Sequence, residues 1–177
     1  LAPSPDALAS LARDRRPTKE ELWELSRHFD GMNIPMLHLM WFAIYSARRQ
    51  SEIMRIKWED IRHEDRTYVV YGLKDPLKRV INKRAKMPLS AYKIIMKQPR
   101  IDERVFPYTT KTICTYFTNA CRLLQIDNLH FHDLRHEATS RLFEKGLSIV
   151  DVQQITLHSS WKTLQRYCNT NPGDIDI

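Results

Sequence analysis

The sequence predicts an α+β domain that is mainly α-helical and carries one small antiparallel sheet. Most of the chain repeats its apolar residues at helical spacing, between recognisable start and stop signals. One stretch, between about residues 58 and 89, instead contains short runs rich in Tyr and Val, a composition typical of β-strands. With 177 residues, of which 42% are hydrophobic and 28% charged, the chain can bury a core and fits one ordinary domain.

Start and stop signals define the first two helices. Thr18 and Glu21 form a capping box, and Gly31 supplies a stop, which together predict a helix over about 18–30. A more apolar segment over about 36–48 follows and ends where charged residues begin. We therefore expect this second helix to lie in the core.

A change of pattern marks the sheet. Residues 67–73 and 84–89 are predicted as two short strands that pair antiparallel. Helical patterns then return between segments that contain Pro, Asn or Gly. The predicted helices of this second half cover about 90–97, 109–125, 132–145, 148–157 and 161–168.

Glycine and cysteine usage excludes several classes of protein. The four glycines cannot form a Walker loop or a G-x-G-x-x-G dinucleotide turn. The three cysteines lack C-x-x-C spacing, which favours a reducing compartment over a disulfide framework or a thiolate zinc site. The apolar runs are too short to span a bilayer, and no signal-peptide pattern opens the chain. We expect a soluble, cytoplasmic protein without a membrane partner.

The N-terminal 17 residues differ in composition from the rest. Residues 1–17 mix Pro, Ser, Ala and Arg like a linker, and the first residue is Leu and not Met. We expect a linker-like segment over 1–17, a folded domain over 18–177, and an upstream domain that is absent from this chain.

The positive charge is concentrated in one segment. The chain carries a formal net charge of +7, which favours a polyanionic partner such as nucleic acid. Residues 74–104 contain ten Lys or Arg against three acidic residues, while the remainder of the chain is balanced. Charge alone leaves two interpretations open: a solvated hairpin whose lysines guard an edge strand, or a ribbon that contacts phosphates.

Several polar motifs stand in a particular order along the chain. His132, Arg135 and His136 share a predicted helix start, where positions i, i+3 and i+4 face the same way. Asp133, between them, is predicted to be the N-cap of that helix. Two further motifs flank this group: Arg49-x-x-Glu52 upstream, and His158-Ser159-Ser160 with Tyr167 nine residues after His158.

Taken together, these motifs resemble the catalytic domain of the tyrosine recombinases, also called phage integrases. The resemblance covers about residues 18–168 and includes Trp58-Glu59-Asp60-Ile61 and the Met87-Pro88-Leu89 end of a lysine-bearing hairpin. Two positions depart from the family pattern: Ala47 and Leu157 stand where the family usually has Gly. The resemblance implies the fold of that catalytic domain over 18–177, and DNA cleavage and rejoining through a 3′-phosphotyrosyl intermediate.

The resemblance also implies a role for each motif residue, and the chemistry agrees. Tyr167 would be the nucleophile, and the forked guanidinium groups of Arg49 and Arg135 would clamp the phosphate in the transition state. His132 and His158 would exchange a proton or donate a hydrogen bond. The remaining catalytic candidate is a lysine that protonates the leaving oxygen, for which Lys74 is chosen over Lys78. Two further residues are predicted as supporting: Glu52 orients the arginines, and His136 positions the helix.

The same resemblance implies the partners. Double-stranded DNA would bind the basic segment through Lys78, Arg79, Lys83, Arg84 and Lys86. The protein would act as a tetramer on DNA, associated with the nucleoid when bound, and the family leaves room for an accessory directionality factor. No metal and no other cofactor are expected.

Three alternatives remain at this point. A type IB topoisomerase uses the same covalent chemistry without exchanging partners. A catalytically inactive DNA-binding accessory protein would keep the basic sheet alone. A zinc module could use His130, His132 and His136, although the first His lacks the Glu of an H-E-x-x-H motif.

Overall fold

The computed structural model describes residues 13–74, 77 and 79–168, and the predicted fold class is confirmed in them. The helices are α1 (Lys19–Phe29), α2 (Met36–Ser46), α3 (Gln50–Ile53), α4 (Leu89–Met96), α5 (Thr110–Leu123), α6 (Asp133–Glu144), α7 (Ile149–Thr156) and α8 (Trp161–Gln165). A 3₁₀ turn covers Trp58–Asp60. Strands β1 (Thr67–Lys74) and β2 (Val80–Lys86) form a two-stranded antiparallel sheet. Residues 1–12, most of the predicted linker-like segment, and residues 169–177 lie outside the described part.

The predicted capping box starts α1. The backbone N–H of Glu21 donates to Oγ1 of Thr18 at 3.1 Å, and the N–H of Thr18 donates to the Glu21 carboxylate at 2.9 Å. These two bonds satisfy N–H groups that the helix itself cannot pair. The buried face of α1 consists of Leu22, Leu25 and Phe29.

Helix α2 ends at Ser46, two residues earlier than predicted. Ala47 has a left-handed backbone with φ of 56°, and its N–H closes the helix on the carbonyl of Ala43 at 3.1 Å. A left-handed residue at the end of a helix turns the chain sharply. Arg48 therefore leaves the helix direction, and the short helix α3 follows at once.

The second strand was predicted in the wrong place. Strand β2 covers Val80–Lys86 and not 84–89, because Pro88 already caps α4. Opposite Asn82, strand β1 contains an extra residue, and Gly72 adopts φ of +74° there. This backbone conformation favours glycine, because any other residue is strained at such a φ; an added side chain would also displace the Arg55 guanidinium.

The last two helices, α7 and α8, are short, with 8 and 5 residues. The predicted helix over 109–125 is confirmed as α5, the 148–157 helix as α7, and the last one ends at Gln165 instead of 168. Across the ranges that the structure describes, no helix is long and apolar enough to cross a membrane.

Helix α2 forms the centre of the core and thereby positions the site. Its buried residues include Leu39, Met40, Phe42 and Ile44. It packs against α6 and α4, and a smaller apolar cluster joins the end of α6 to α7 and α8. The end of α2 consequently lies beside the start of α6, which brings two of the sequence motifs together.

Candidate active site

Arg49 and Glu52 are locked together at the start of α3. The Glu52 carboxylate accepts the backbone N–H of Arg49 at 2.9 Å and its guanidinium at 2.8 Å. The Glu52 side chain is 5% exposed and that of Arg49 is 45% exposed. Glu52 thus fixes the buried edge of the guanidinium and leaves the other edge open to a ligand.

Arg135 reaches the same place from α6. Its Nη1 donates to the carbonyl oxygen of Ala47, and its Nη2 lies 3.4 Å from Nε2 of His158. Burial, together with the positive charges of Arg48 and Arg49, lowers the pKa of Arg135 to about 9. The guanidinium therefore remains protonated at neutral pH.

Arg48 belongs to this cluster, and the sequence analysis missed it. The side chain is fully buried, its Nη2 donates to the carbonyl of Ile155 at 2.7 Å, and its Nη1 lies 3.5 Å from the Glu52 carboxylate. No spacing rule distinguishes it from its neighbour, because both arginines follow the same helix. The sequence signal that could have identified Arg48 is its position, as one of two adjacent arginines directly after an apolar helix.

The cluster carries an excess of positive charge. Burial alone would raise the pKa of Glu52, but the charges of Arg48, Arg135 and Arg49 hold it below its ordinary value. One carboxylate thus faces three guanidinium groups. Such an arrangement favours an anionic ligand at the open edge of Arg49.

His158 is held as a neutral imidazole. Its Nδ1 lies 2.7 Å from Oγ1 of Thr156, and its carbonyl accepts from Nε2 of Gln153 at 2.8 Å. Because Arg135 can only donate, Nε2 of His158 presents its lone pair and Nδ1 carries the proton. Burial and the charges of Arg135 and Arg49 lower the pKa of His158 to about 3.

The preceding residue orients His158. Leu157 closes α7 in a left-handed conformation with φ of 56°, the second position where the family pattern has Gly. The polar partner Thr156 was also missed, since a Thr two residues before a His carries no recognised signal. The backbone turn at Leu157 and the hydrogen bond with Thr156 together orient the His158 imidazole towards Arg135.

His132 lies at the N-cap of α6, and the prediction that Asp133 is the N-cap was wrong. Asp133 is the first helical residue; its carboxylate accepts two bonds from Arg13, at 2.8 and 2.9 Å, and one from the N–H of His130. The His132 side chain is exposed. Desolvation of the imidazole and, to a smaller extent, the positive charges of Arg49 and Arg135 lower the pKa of His132.

A cavity of about 650 Å³ opens beside the arginine cluster. Its wall includes Arg49, Glu52, His158 and, from strand β2, Lys83. A cationic and histidine-bearing cavity of this kind suits a phosphate group.

Tyr167 occupies a different cavity. Its hydroxyl lies 2.8 Å from Nδ1 of His136, and its ring stacks on Phe143. This second cavity, of about 760 Å³, is also lined by Arg166. Burial raises the pKa of Tyr167, and the charges of Arg166 and Arg135 offset part of that effect. His136, predicted to position its helix, is the hydrogen-bond partner of the phenol.

The basic residues of the hairpin fall into two groups. Lys83 and Arg84 are exposed, while Lys86 is half-buried. Arg84 donates to the carbonyl of Asp60 and Lys86 to that of Asp65, so both also brace the hairpin. Arg79 is exposed; Lys78 and the side chain of Lys74, which ends β1, lie outside the described residues.

The zinc alternative finds no support in the geometry. His136 directs Nδ1 at Tyr167 and Arg166. Among the described residues, no three His, Cys, Asp or Glu side chains are placed to hold a metal ion.

Known proteins are similar to this chain in sequence and in fold. The model of the phage integrase family matches residues 16–173. The shufflon-specific DNA recombinase of Escherichia coli is 35% identical over 164 residues, which is 89% of this chain and 41% of that protein. The chain spans about two fifths of the length of the curated relatives it matches.

Solved structures share the fold. The Tn1549 transposon integrase, in complex with circular intermediate DNA, matches with a TM-score of 0.68 and 14% identity, over 93% of this chain and 64% of that one. The catalytic domain of bacteriophage HP1 integrase matches with a TM-score of 0.66 and 18% identity, over 89% of each chain. At these identities the similarity establishes the fold.

Proposed function

Because the chain belongs to the phage integrase family, we propose that it is the catalytic domain of a site-specific recombinase that cuts and rejoins DNA through Tyr167. In this proposal residues 18–177 form the catalytic domain, and residues 1–17 are the linker-like segment that precedes it. The similarity to a shufflon-specific DNA recombinase supports this function.

One observation carries the proposal. Arg49 and Arg135 are 86 positions apart in sequence, yet both act on the buried Glu52 carboxylate. Arg49 lines the cavity, and Arg135 lies 3.4 Å from His158, which lines the same cavity. Fixed guanidinium donors next to an open cavity are what a phosphodiester requires as it gains charge in its transition state. A phenol is also close to α6, the helix that carries Arg135: the hydroxyl of Tyr167 lies 2.8 Å from Nδ1 of His136.

The proposed reaction is a transesterification. The Tyr167 oxygen attacks the phosphorus, an O–P bond to the phenol forms, and the bond from phosphorus to the 5′ oxygen breaks. Arg49 and Arg135 hold the two non-bridging oxygens in the pentacoordinate transition state. A second 5′ hydroxyl then attacks the 3′-phosphotyrosyl linkage, which restores the phenol and exchanges the strands.

Two protons move in this scheme. The phenol must lose its proton, and His132, whose lowered pKa keeps it neutral, is the proposed acceptor. The leaving 5′ oxygen must gain a proton, and we assign this step to Lys74. His158 lies next to Arg135 and would adjoin the phosphate. The negative charge of the phosphate would favour the neutral tautomer with its proton on Nε2, which can donate a hydrogen bond to a phosphate oxygen.

The partner is double-stranded DNA. The Tn1549 integrase was solved with DNA, and the basic residues Lys78, Arg79, Lys83, Arg84 and Lys86 offer this chain contacts for phosphates. We further propose a tetramer on DNA, located on the nucleoid when bound, and a directionality factor as accessory partner.

The test is covalent trapping on a nicked suicide duplex that carries the target site, followed by a denaturing gel and mapping of the attached peptide. Wild-type protein should give a protein–DNA band attached at Tyr167. Tyr167→Phe should lose the band and retain binding, while Tyr116→Phe, which alters an exposed tyrosine of α5, should behave as wild type. A surviving band in Tyr167→Phe ends the assignment, and relaxation of a plasmid without a specific site would favour the topoisomerase alternative.

A further inference from the structure

Arg166 connects the residue before the nucleophile to the N-terminal segment. Its Nη2 donates to the carbonyl of Arg13 at 2.8 Å and lies 3.1 Å from the Asp14 carboxylate. The same nitrogen lies 3.3 Å from Nδ1 of His136, and Cζ lies 5.1 Å from the centre of the Tyr167 ring. One guanidinium thus contacts both the N-terminal segment and the group that binds the nucleophile.

The N-terminal segment is itself anchored on α6. Arg13 binds the Asp133 carboxylate through two nitrogens, at 2.8 and 2.9 Å. Arg16 binds Glu137 and Glu144, each at 2.6 Å. Residues 13–16 are therefore held against the helix that carries Arg135 and His136, and they hold Arg166 from a fixed position.

A hydrogen bond to His136 holds Tyr167. The Tyr167 hydroxyl lies 2.8 Å from Nδ1 of His136, and Nη2 of Arg166 lies 3.3 Å from the same nitrogen. In this position the phenol oxygen is engaged with His136, whereas the cavity lined by Arg49 and His158 is a different one. Attack on a phosphate held by Arg49 requires the ring to leave His136.

We propose that Asp14 and Arg166 are positioning residues which hold Tyr167 on His136, so that the segment before α1 controls how often the nucleophile reaches the arginine cluster. This inference rests on the proposed function and adds a regulation to its site. Any movement of the N-terminal segment is transmitted to Tyr167 through Arg166, which contacts both the carbonyl of Arg13 and the carboxylate of Asp14.

The expected effect is moderate. Asp14 is 87% exposed and Arg166 is 28% exposed, and ion pairs at such sites are weak. Loss of the pair should shift the balance between held and released Tyr167 by roughly two- to fivefold, and not completely.

The first experiment measures the position of Tyr167 without DNA. The chain is labelled with 3-fluorotyrosine, the Tyr167 signal is assigned with Tyr167→Phe, and its relaxation by a neutral gadolinium chelate reports its exposure. Asp14→Asn and Arg166→Gln should each increase this relaxation. The double variant should resemble Arg166→Gln, because that change already removes the contact with Asp14. Asp102→Asn, which alters another surface Asp–Arg pair, should leave it unchanged.

The second experiment measures single-turnover cleavage of saturating suicide duplex. Asp14→Asn should raise the cleavage rate roughly two- to fivefold with an unchanged Kd, because the pair restrains the nucleophile and does not touch DNA. Unchanged relaxation in Asp14→Asn, or a slower cleavage rate, overturns the inference. If relaxation rises but no protein cleaves DNA, the restraint stands and the proposed function fails.

Discussion

Arg135 donates a hydrogen bond to the carbonyl oxygen of Ala47, a residue 88 positions earlier in the chain whose backbone is left-handed. The left-handed turn directs this carbonyl to Arg135 and sends the next residues, Arg48 and Arg49, towards Glu52. The geometry of the arginine cluster therefore depends on one backbone conformation that alanine rarely adopts.

We expect Ala47→Val to destabilise the fold by about 2–3 kcal/mol, because a β-branched residue is strained at positive φ and the site has no room for extra methyl groups. Ala47→Gly should change stability by less than about 1 kcal/mol, since relief of strain offsets the loss of a buried methyl. Urea unfolding measures both. Ala43→Val is the control, because Ala43 is buried in α2 with helical backbone and its substitution measures the cost of overpacking alone. If Ala43→Val lowers the free energy of unfolding as much as Ala47→Val does, the left-handed turn makes no contribution of its own.

His158 should make the protein sensitive to mild acid. Its pKa is about 3 in the folded chain against an ordinary value of 6.5, so the unfolded chain binds the proton more readily. Stability from this group is complete above pH 6.5 and decreases as the pH falls towards 3. Urea midpoints at pH 7, 5 and 4 should fall less in His158→Gln than in wild type. A His158 imidazole signal that titrates near pH 6.5 by NMR contradicts this expectation.

Glu137 should matter far more than Glu144, although both bind Arg16. Burial alone would raise the pKa of Glu137, but its bonds to Arg16 and Arg141 hold it below the ordinary value. Its stabilisation is therefore present above about pH 4.5 and is lost as the pH falls further. At pH 7, Glu137→Gln should cost about 1–3 kcal/mol in urea unfolding.

Glu144→Gln is the matched control, because its side chain is 57% exposed against 5% for Glu137. We expect it to cost less than about 1 kcal/mol. Equal losses in the two variants would mean that burial of the carboxylate does not set the strength of these pairs.

Arg135→Lys should separate catalysis from binding. Lysine keeps the charge but cannot contact Ala47 and a phosphate together, so cleavage of the suicide duplex should slow by about 100-fold or more. The Kd for the duplex should change only a few-fold. Arg122→Lys, on the exposed face of α5, should change neither. Losses of the same size in rate and affinity would reduce Arg135 to a simple phosphate contact.

Salt dependence should distinguish the lysines of β2. Lys83 lines the cavity beside Arg49, whereas Lys86 already donates to the carbonyl of Asp65. Lys83→Gln should reduce the slope of log Kd against log salt by about 1, the value for one phosphate contact. Lys86→Gln should reduce it less. A slope that neither variant changes would leave the positive charge of β2 without a role in binding.

Local patterns predicted much of this molecule. The Thr18–Glu21 capping box and the helical spacing of apolar residues predicted seven of the eight described helices to within a few residues, since these signals act between neighbours in the chain. The short helix α3 was not predicted. The end of α2 was predicted two residues too late, because alanine at position 47, unlike glycine, gives no sequence signal for a left-handed turn. The start of β2 was missed because polar residues such as Asn82 and Lys83 mask the strand pattern.

The candidate site was less predictable than the fold. Motif spacing selected Arg49, Arg135 and Tyr167, but spacing contains no information about which cavity each side chain enters. The buried position of Arg48 and the contact between Tyr167 and His136 depend on how α2, α6 and the C-terminal segment pack. Long-range packing of this kind leaves no periodic trace in the sequence.

The three guanidinium groups around Glu52 have a consequence for the protein without its ligand. Like charges repel inside a folded chain, and Glu52 supplies one negative charge against these three positive ones. Under the proposed function, a phosphate of the duplex would supply further negative charge to this cluster. Binding of DNA would then lower the repulsion among the three guanidinium groups and stabilise the folded domain.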